Sequence, residues 1–453
     1  MKKAILSPGL LCALALASPV FAAPAPAAPD VKKMDALVQS YVDSGQFMGA
    51  VLVVQDGKVL LDKGYGYANL EWQTPMTADA KFRIGSMTKQ FTAVSILLLE
   101  ERGKLSTDDL ISKYLPGLPA AWDKITIKNL LTHTSGIPNY TASPEIMTVM
   151  RQSQTPNQIV ALVRDKPLDF PTDSQYAYSN TNYVLLGMIV EKASGQPYAR
   201  FLQDNIFTPL HMTDTGYDSN SRLLPHRALG YQPGRAGLEN APFVDMSTPF
   251  SAGALYSTTH DLRLWEEALF GGKVLQPASL TKMTTPYKND YGFGLINRVD
   301  GAGRRIIEHG GAINGFNSEM AWFPDEKGMI IVLDNIAGNA SNSIRSDLEG
   351  IVHGSEVPLQ VVHKEVAVKP EILASYVGTY ELAPTFSIVV TLEDGRLVTQ
   401  ATNQPKVPIF AESETTFFAK VVNAQITFVK GPDGKVTSLI LHQNGRDITG
   451  VRK

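Results

Sequence analysis

Apolar positions along this chain follow two periods. Gly49-Ala50-Val51-Leu52-Val53-Val54 is an apolar run of strand length, Asp56-Gly57 is a hairpin turn, and Val59 to Tyr65 returns. Lys81-Phe82-Arg83-Ile84 reads as a short extended stretch. The period then lengthens. Met87, Phe91, Val94, Leu97 and Leu98 recur at helical spacing, and Glu101-Arg102-Gly103 closes that helix. Further helices are predicted over Thr126 to Leu131 (stopped at Ser135-Gly136), over Thr181 to Lys192 (ended by Gly195) and over Thr258 to Leu269, ahead of Gly271-Gly272. Strand patterning resumes over Tyr291 to Ile296, Arg304 to Glu308, Met320 to Phe323 and Met329 to Leu333, with Asp325-Glu326-Lys327-Gly328 as the last turn. Strands at both ends of a helical middle predict an α+β fold. One antiparallel sheet, built from both ends and flanked by helices, carries an inserted helical domain.

The pattern changes near Gly354. Glu356 to Pro370 is linker-like, and from Tyr376 onward the chain is all β. Strands are expected over Phe386 to Leu392, Leu397 to Ala401, Thr416 to Lys420, Gln425 to Lys430 and Val436 to His442. Asp394-Gly395, Asp433-Gly434 and Asn444-Gly445 are the turns. This predicts a separate all-β C-terminal barrel over residues 371–453, after a linker at 354–370.

The N-terminus adds a different signal. Lys2 and Lys3 precede an apolar run from Leu10 to Phe21 that ends in Val20-Phe21-Ala22, a small-x-small cleavage pattern. Residues 1–22 therefore read as a cleavable signal peptide, 23–30 as an Ala/Pro tether, and 31–353 as the main domain. The expected location is periplasmic or secreted. The run is too short for the ~20 apolar residues of a spanning helix, and no membrane span is expected in the mature chain. Cys12, the single cysteine, lies in this leader, so no disulfide is expected. A length of 453 residues and a formal net charge of -3, with no basic block, fit two or three globular domains and exclude nucleic acid as the expected partner.

The candidate chemistry centres on Gly85-Ser86-Met87-Thr88-Lys89. A serine hydroxyl needs a base within hydrogen-bond reach to act as a nucleophile. Residues three apart on a helix share a face, so Ser86 and Lys89 are neighbours. A buried lysine loses its proton more easily and becomes such a base. The spacing recurs at Ser279 and Lys282, but that stretch follows Gln276-Pro277-Ala278, stops at Pro286 and reads as an ordinary surface helix. Tyr178-Ser179-Asn180 supplies a second element. The tyrosine could serve as a base if nearby lysines held it as phenolate, and the asparagine could hold a substrate amide or orient Lys89. The third is His309-Gly310-Gly311-Ala312, whose glycines let a ligand backbone lie along a strand edge.

With these three elements in this order, residues 31 to 348 resemble the serine β-lactamase and penicillin-binding-protein superfamily, in its class C-like branch. That branch includes D-aminopeptidases, D-Ala-D-Ala carboxypeptidases and family VIII esterases. Leu130-Leu131-Thr132-His133-Thr134-Ser135-Gly136 and Gly315-Phe316-Asn317-Ser318 match further signatures of the branch. The all-β tail, with Tyr376-Val377-Gly378-Thr379-Tyr380, is similar to lipocalin-like domains appended to such hydrolases. The resemblance implies an acylated Ser86, with Lys89 and Tyr178 as the pair that takes its proton and later activates water. It implies substrate binding by Asn180, His309 and Gly311, an oxyanion hole of the Ser86 and Ala312 backbone N–H groups, and a structural His133. The substrate would be a small molecule or peptide.

His309 departs from the Lys-Thr-Gly or Lys-Ser-Gly of many β-lactamases. It replaces a fixed charge with one expected to depend on pH near neutrality. Gly310 supplies no hydroxyl, so a β-lactam is not the expected substrate. The alternatives are a sensor or scaffold that acylates without turnover, a β-lactamase, or an acyltransferase. No cofactor is expected. His211, His226, His260, His353, His363 and His442 lack ligand-like spacing, so no metal is expected. No Gly-x-Ser-x-Gly elbow is present.

Overall fold

A computed structural model describes residues 30–234, 237–420, 422, 424–443 and 446–453. The expected signal peptide, Cys12, the tether before Asp30 and the Asn444-Gly445 turn lie outside the described residues.

The main domain is a three-layer arrangement around one antiparallel sheet. Its strands are β1 (Gly49–Gln55), β2 (Lys58–Tyr65), β3 (Ile296–Val299), β4 (Arg305–Ile313), β5 (Phe316–Phe323) and β6 (Gly328–Asp334), in the order β3-β4-β5-β6-β1-β2. The first strand pairs with the last, Gly49 opposite Asp334 and Val54 opposite Met329, so both ends of the region close one sheet. Successive strand residues point to opposite faces. Ala50, Leu52 and Val54 therefore join Met329, Ile331 and Leu333 in the front core, under the helical region. Val51, Val53, Ile330 and Val332 join a back core.

Two terminal helices cover that back face, α1 (Val31–Asp43) and α4 (Ala340–Val352). They contribute Met34, Leu37, Val38, Tyr41, Ile344 and Leu348. Neither belongs to the sequence expectation. Asp30 caps α1, its carboxylate accepting from the Lys32 and Lys33 N–H groups at 3.0 and 3.2 Å.

In sequence, the helical region falls between the two halves of the sheet and packs on its front face, with α2 (Thr88–Glu101) at its centre and α3 (Asn180–Ser194) beside it. Every residue of α2 from Thr88 to Leu99 is buried. The enclosure takes in its polar residues Thr88, Lys89, Gln90, Thr92 and Ser95 as well as its apolar ones, as befits a helix at the centre of the fold. Gly195 ends α3 with φ +73°, the left-handed cap glycine provides.

One predicted strand is corrected. Tyr291 to Leu295 forms a turn, and the strand begins only at Ile296. Gly292 interrupts the stretch, Gly294 sits at φ +73°, and the Tyr291 side chain is buried rather than placed in a ladder. The Arg304–Glu308 prediction falls short in the other direction, since β4 runs on through His309-Gly310-Gly311 to Ile313.

Beyond residue 353 an extended segment ties onto both bodies. The Gln360 N–H donates to Ser40 Oγ at 3.0 Å, and the Val366 N–H donates to the Ala411 carbonyl at 2.8 Å. Eight strands, from Gly378–Ala383 to Arg446–Arg452, then close a barrel. Side chains fill its interior, including Tyr380, Ile388, Val390, Leu397, Phe417, Phe428 and Leu439. Among the described residues no helix is long and apolar enough to cross a membrane.

Candidate functional site

The strand Phe82–Arg83 leads into a single 3₁₀ turn, Gly85–Met87, and α2 starts at Thr88. Ser86 thus lies just before the α-helix rather than on its first turn. The 3₁₀ winding has three residues per turn and eclipses positions i and i+3, which still sets Lys89 beside Ser86. Lys89 Nζ is 2.9 Å from Ser86 Oγ.

Two glycines let this turn press against β4. Gly85 has φ +48°, and a Cβ there would stand 2.8 Å from the Ala312 N. A Cβ on Gly311 would collide with the Ile84 carbonyl and stand 2.9 Å from the Ser86 N. The backbones of Ser86 and Ala312 therefore meet at one spot. Ser318, next to Gly311 on β5, donates its hydroxyl to the Ile84 carbonyl at 2.9 Å and pins the turn. The β3 ladder covers only Arg305 to Glu308 of β4, so the edge from His309 to Ile313 continues past it toward Ser86.

Lys89 is fully buried. Besides Ser86, its amine reaches Asn180 Oδ1 and the Ala252 carbonyl, each at 2.8 Å. None of these partners is a carboxylate. Burial therefore drives the Lys89 amine well below the ordinary lysine range. Asn180 opens α3 and is held in turn by Asn139, whose Oδ1 accepts from the Asn180 N–H at 3.1 Å. Sequence reasoning missed the Ala252 carbonyl. It comes from a turn in which Phe250 adopts φ +42°, and a backbone oxygen leaves no residue-type signal.

Burial raises the Tyr178 phenol well above the ordinary range, and the nearby Ser86 side chain offsets this only in part. Lys89 Nζ lies over the Tyr178 ring face, 4.8 Å from the centroid. Burial thus favours a neutral Tyr178 hydroxyl in the resting site over the phenolate that nearby lysines could hold. His133, in a left-handed conformation (φ +55°), is the clamp for this segment. Its carbonyl accepts from the Ala177 N–H at 3.0 Å, and its Nδ1 accepts from the Ser179 N–H at 3.2 Å, one bond on each side of Tyr178. The His133 ring packs against Tyr178 with centroids 4.4 Å apart, and burial, then Lys89 and His309, keeps it neutral.

His309 is 5% exposed on β4. Its Nδ1 lies 2.6 Å from the Gly310 carbonyl and must carry the proton, because two lone pairs cannot face each other at that distance. Its Nε2 therefore accepts from the Tyr291 hydroxyl at 3.0 Å. Burial first, and Lys89 second, push its pKa down to about 4. This corrects the expected pH-conditional charge, since the imidazole stays neutral through the physiological range.

Ser86, Lys89, Tyr178, Asn180, His309, Gly311 and Ala312 thus surround one point. Ser279 is elsewhere, on the surface helix Pro277–Thr284, and its Lys282 pairs with Glu100 at 2.9 Å. Among the described residues, no cluster of three or more His, Cys, Asp or Glu side chains is arranged to hold a metal.

The fold is that of the β-lactamase-type serine hydrolase family. Residues 34–352 match the family described as Beta-lactamase, and the chain belongs to that family, together with penicillin-binding proteins and D-amino acid amidases. Residues 362–452 match a family described as a domain of unknown function, DUF3471. Among curated relatives, Penicillin-binding protein 4* of Bacillus subtilis is 31% identical over 93% of this chain and 98% of its own length. Among solved structures, the octameric penicillin-binding protein homologue of Pyrococcus abyssi is 25% identical at a TM-score of 0.66, covering 93% of this chain and 100% of its own. A D-amino acid amidase of Ochrobactrum anthropi SV3 is 27% identical at a TM-score of 0.62, covering 71% of this chain and 97% of its own.

Proposed function

We propose that this protein is an exported serine hydrolase that cleaves an ester or amide bond, a D-amino-acid peptide bond among the candidates, through an acyl-Ser86 intermediate. The observation that carries this function is the buried Lys89 amine, 2.9 Å from Ser86 Oγ with no carboxylate among its partners. A neutral amine has two N–H groups and one lone pair. The Asn180 and Ala252 oxygens absorb the two N–H groups, which leaves the lone pair for the Ser86 proton.

In acylation, Ser86 Oγ attacks the carbonyl as Lys89 takes its proton. The developing oxyanion is held by the backbone N–H groups of Ser86 and Ala312, donors that typically contribute ~2.7–4 kcal/mol each. The Tyr178 hydroxyl gives its proton to the leaving group, and the resulting phenolate sits beside the newly charged Lys89. In deacylation the phenolate takes a proton from water, hydroxide attacks the acyl carbon, and Lys89 returns its proton to Ser86. Both groups thus act as bases, one in each half, and end as they began. Asn180 orients Lys89 through Oδ1. Its Nδ2, held only by contacts of 3.4 and 3.5 Å, is a donor for a substrate carbonyl. Export rests on the basic start and short apolar run before Ala22.

The test is hydrolysis of a short-chain aryl ester by the wild type and by Ser86→Ala. The expected result is turnover that the substitution removes by a factor of about 10³ or more. Unchanged turnover in Ser86→Ala would overturn the assignment, and stoichiometric acylation without turnover would make the protein a sensor instead.

A further inference from the structure

The assignment of Ser86 leaves the substrate class open, and the charges around the site narrow it. A substrate laid along the free edge of β4 has one flank against His309 and the other against Ile313. Neither flank meets a permanent cation. At the first, both nitrogens of His309 are engaged, by the Gly310 carbonyl at 2.6 Å and the Tyr291 hydroxyl at 3.0 Å, and no ring N–H remains to donate. At the second, Ile313 packs with an apolar cluster of Met150, Val244, Met246 and Ala254.

Apart from Ser318 and the apolar cluster at Ile313, the residues placed around Ser86 and their partners lie in residues 85–89, 133–142, 173–182, 250–254, 291–295 and 309–316. They contain one lysine or arginine, Lys89. That amine is fully buried behind Ser86 and committed to three internal oxygens. The lysines flanking this region, Lys128 and Lys288, lie over the Tyr287 ring at 4.4 and 5.2 Å from its centroid, and neither belongs to the segments around Ser86. A carboxylate brought into such a cleft loses water and gains no ion pair, which disfavours it.

We propose that this site selects acyl donors that are uncharged on both sides of the scissile carbonyl, as in esters and carboxamides of blocked acyl groups, and discriminates against donors bearing a free carboxylate next to it. The inference rests on Ser86 being the acylated residue. It separates this cleft from one built to hold a terminal carboxylate, where a lysine in place of His309 would supply the charge.

The test uses the full-length protein and three esters: phenyl butyrate, 3-carboxyphenyl butyrate and monophenyl succinate. They place a carboxylate on neither flank, on the leaving group and on the acyl group. The kcat/KM ratios are measured for the wild type, His309→Gln and His309→Lys. The expected result is a preference of about tenfold or more for phenyl butyrate over both carboxylates, which corresponds to ~1.4 kcal/mol. That preference is retained in His309→Gln and reduced for at least one carboxylate ester in His309→Lys. A wild type that cleaves either carboxylate ester as fast as phenyl butyrate, while acylating Ser86, would overturn this inference alone. Absence of acylation at Ser86 by all three would overturn the underlying assignment and the inference with it. Should His309→Lys fail to fold, the wild-type and His309→Gln ratios still decide the matter.

Discussion

At the scale of single residues, Lys89 and His309 show how burial assigns chemical roles. Both are basic side chains enclosed near Ser86, and in both burial disfavours the charged form. Lys89 must be unprotonated to accept the Ser86 proton, so kcat/KM rises with pH through its lowered pKa. The acid limb of the profile is therefore expected well below the ordinary lysine value of 10.5. His309 is neutral above about 4. The profile is expected to carry no inflection near pH 6.5 that His309→Gln removes, and such an inflection in the wild type alone would contradict this environment. Lys89→Arg keeps a positive charge and cannot supply a free base. It is expected to lower kcat/KM on the order of 10²-fold or more, measured on the same ester. The sequence made these residues legible through type and spacing. It did not show their protonation states, because those depend on partners far along the chain, such as Tyr291 for His309 and Ala252 for Lys89.

At the scale of elements, the site depends on a turn and a strand that touch without side chains between them. The His-Gly-Gly run was legible as a place for a ligand to lie, and the structure gives one glycine a second task. Gly311 gives the Ile84 carbonyl and the Ser86 N room that a methyl group would occupy. Gly311→Ala is therefore expected to displace the 3₁₀ turn from β4. Overpacking of this kind typically costs ~1–3 kcal/mol, and thermal denaturation and ester turnover should both register it. Unchanged melting and turnover would show that the two backbones have slack. The elements missed from the sequence were missed for different reasons. Met34, Leu37, Val38 and Tyr41 recur at i, i+3, i+4 and i+7, so α1 was readable in principle. The misplaced strand at Tyr291 combined strand-type apolar spacing with a turn forced by Gly292 and Gly294, and the tertiary demand to bury Tyr291 beside His133 and His309 prevailed.

At the scale of the whole molecule, the barrel and the sheet domain have separate cores. The solved D-amino acid amidase, covered over 97% of its length, corresponds to 71% of this chain. The expectation is that a chain ending near Glu356 still folds and still acylates Ser86, since every residue placed around that serine, Ser318 included, lies before the barrel. If the barrel shapes specificity, the truncated form will change its ratio of kcat/KM between short and long acyl esters. Identical ratios would remove the barrel from substrate selection. Two separately packed domains also predict two resolvable transitions in calorimetry of the full chain, with the truncated form keeping one. The sheet, the helical insert and the barrel were all legible in the alternation of strand and helix periods. Their mutual attachment was not, since it runs through single bonds such as that of the Gln360 N–H to Ser40 Oγ, which carry no pattern.

The central claim is that Ser86 becomes acylated. It is tested most directly by incubating the protein with a slowly hydrolysed acylating ester, quenching in acid, and mapping the added mass by peptide mass spectrometry. One acyl group per chain on the peptide containing Ser86, absent from Ser86→Ala, is the predicted result. An acyl group on any other residue, with turnover intact, would contradict the account.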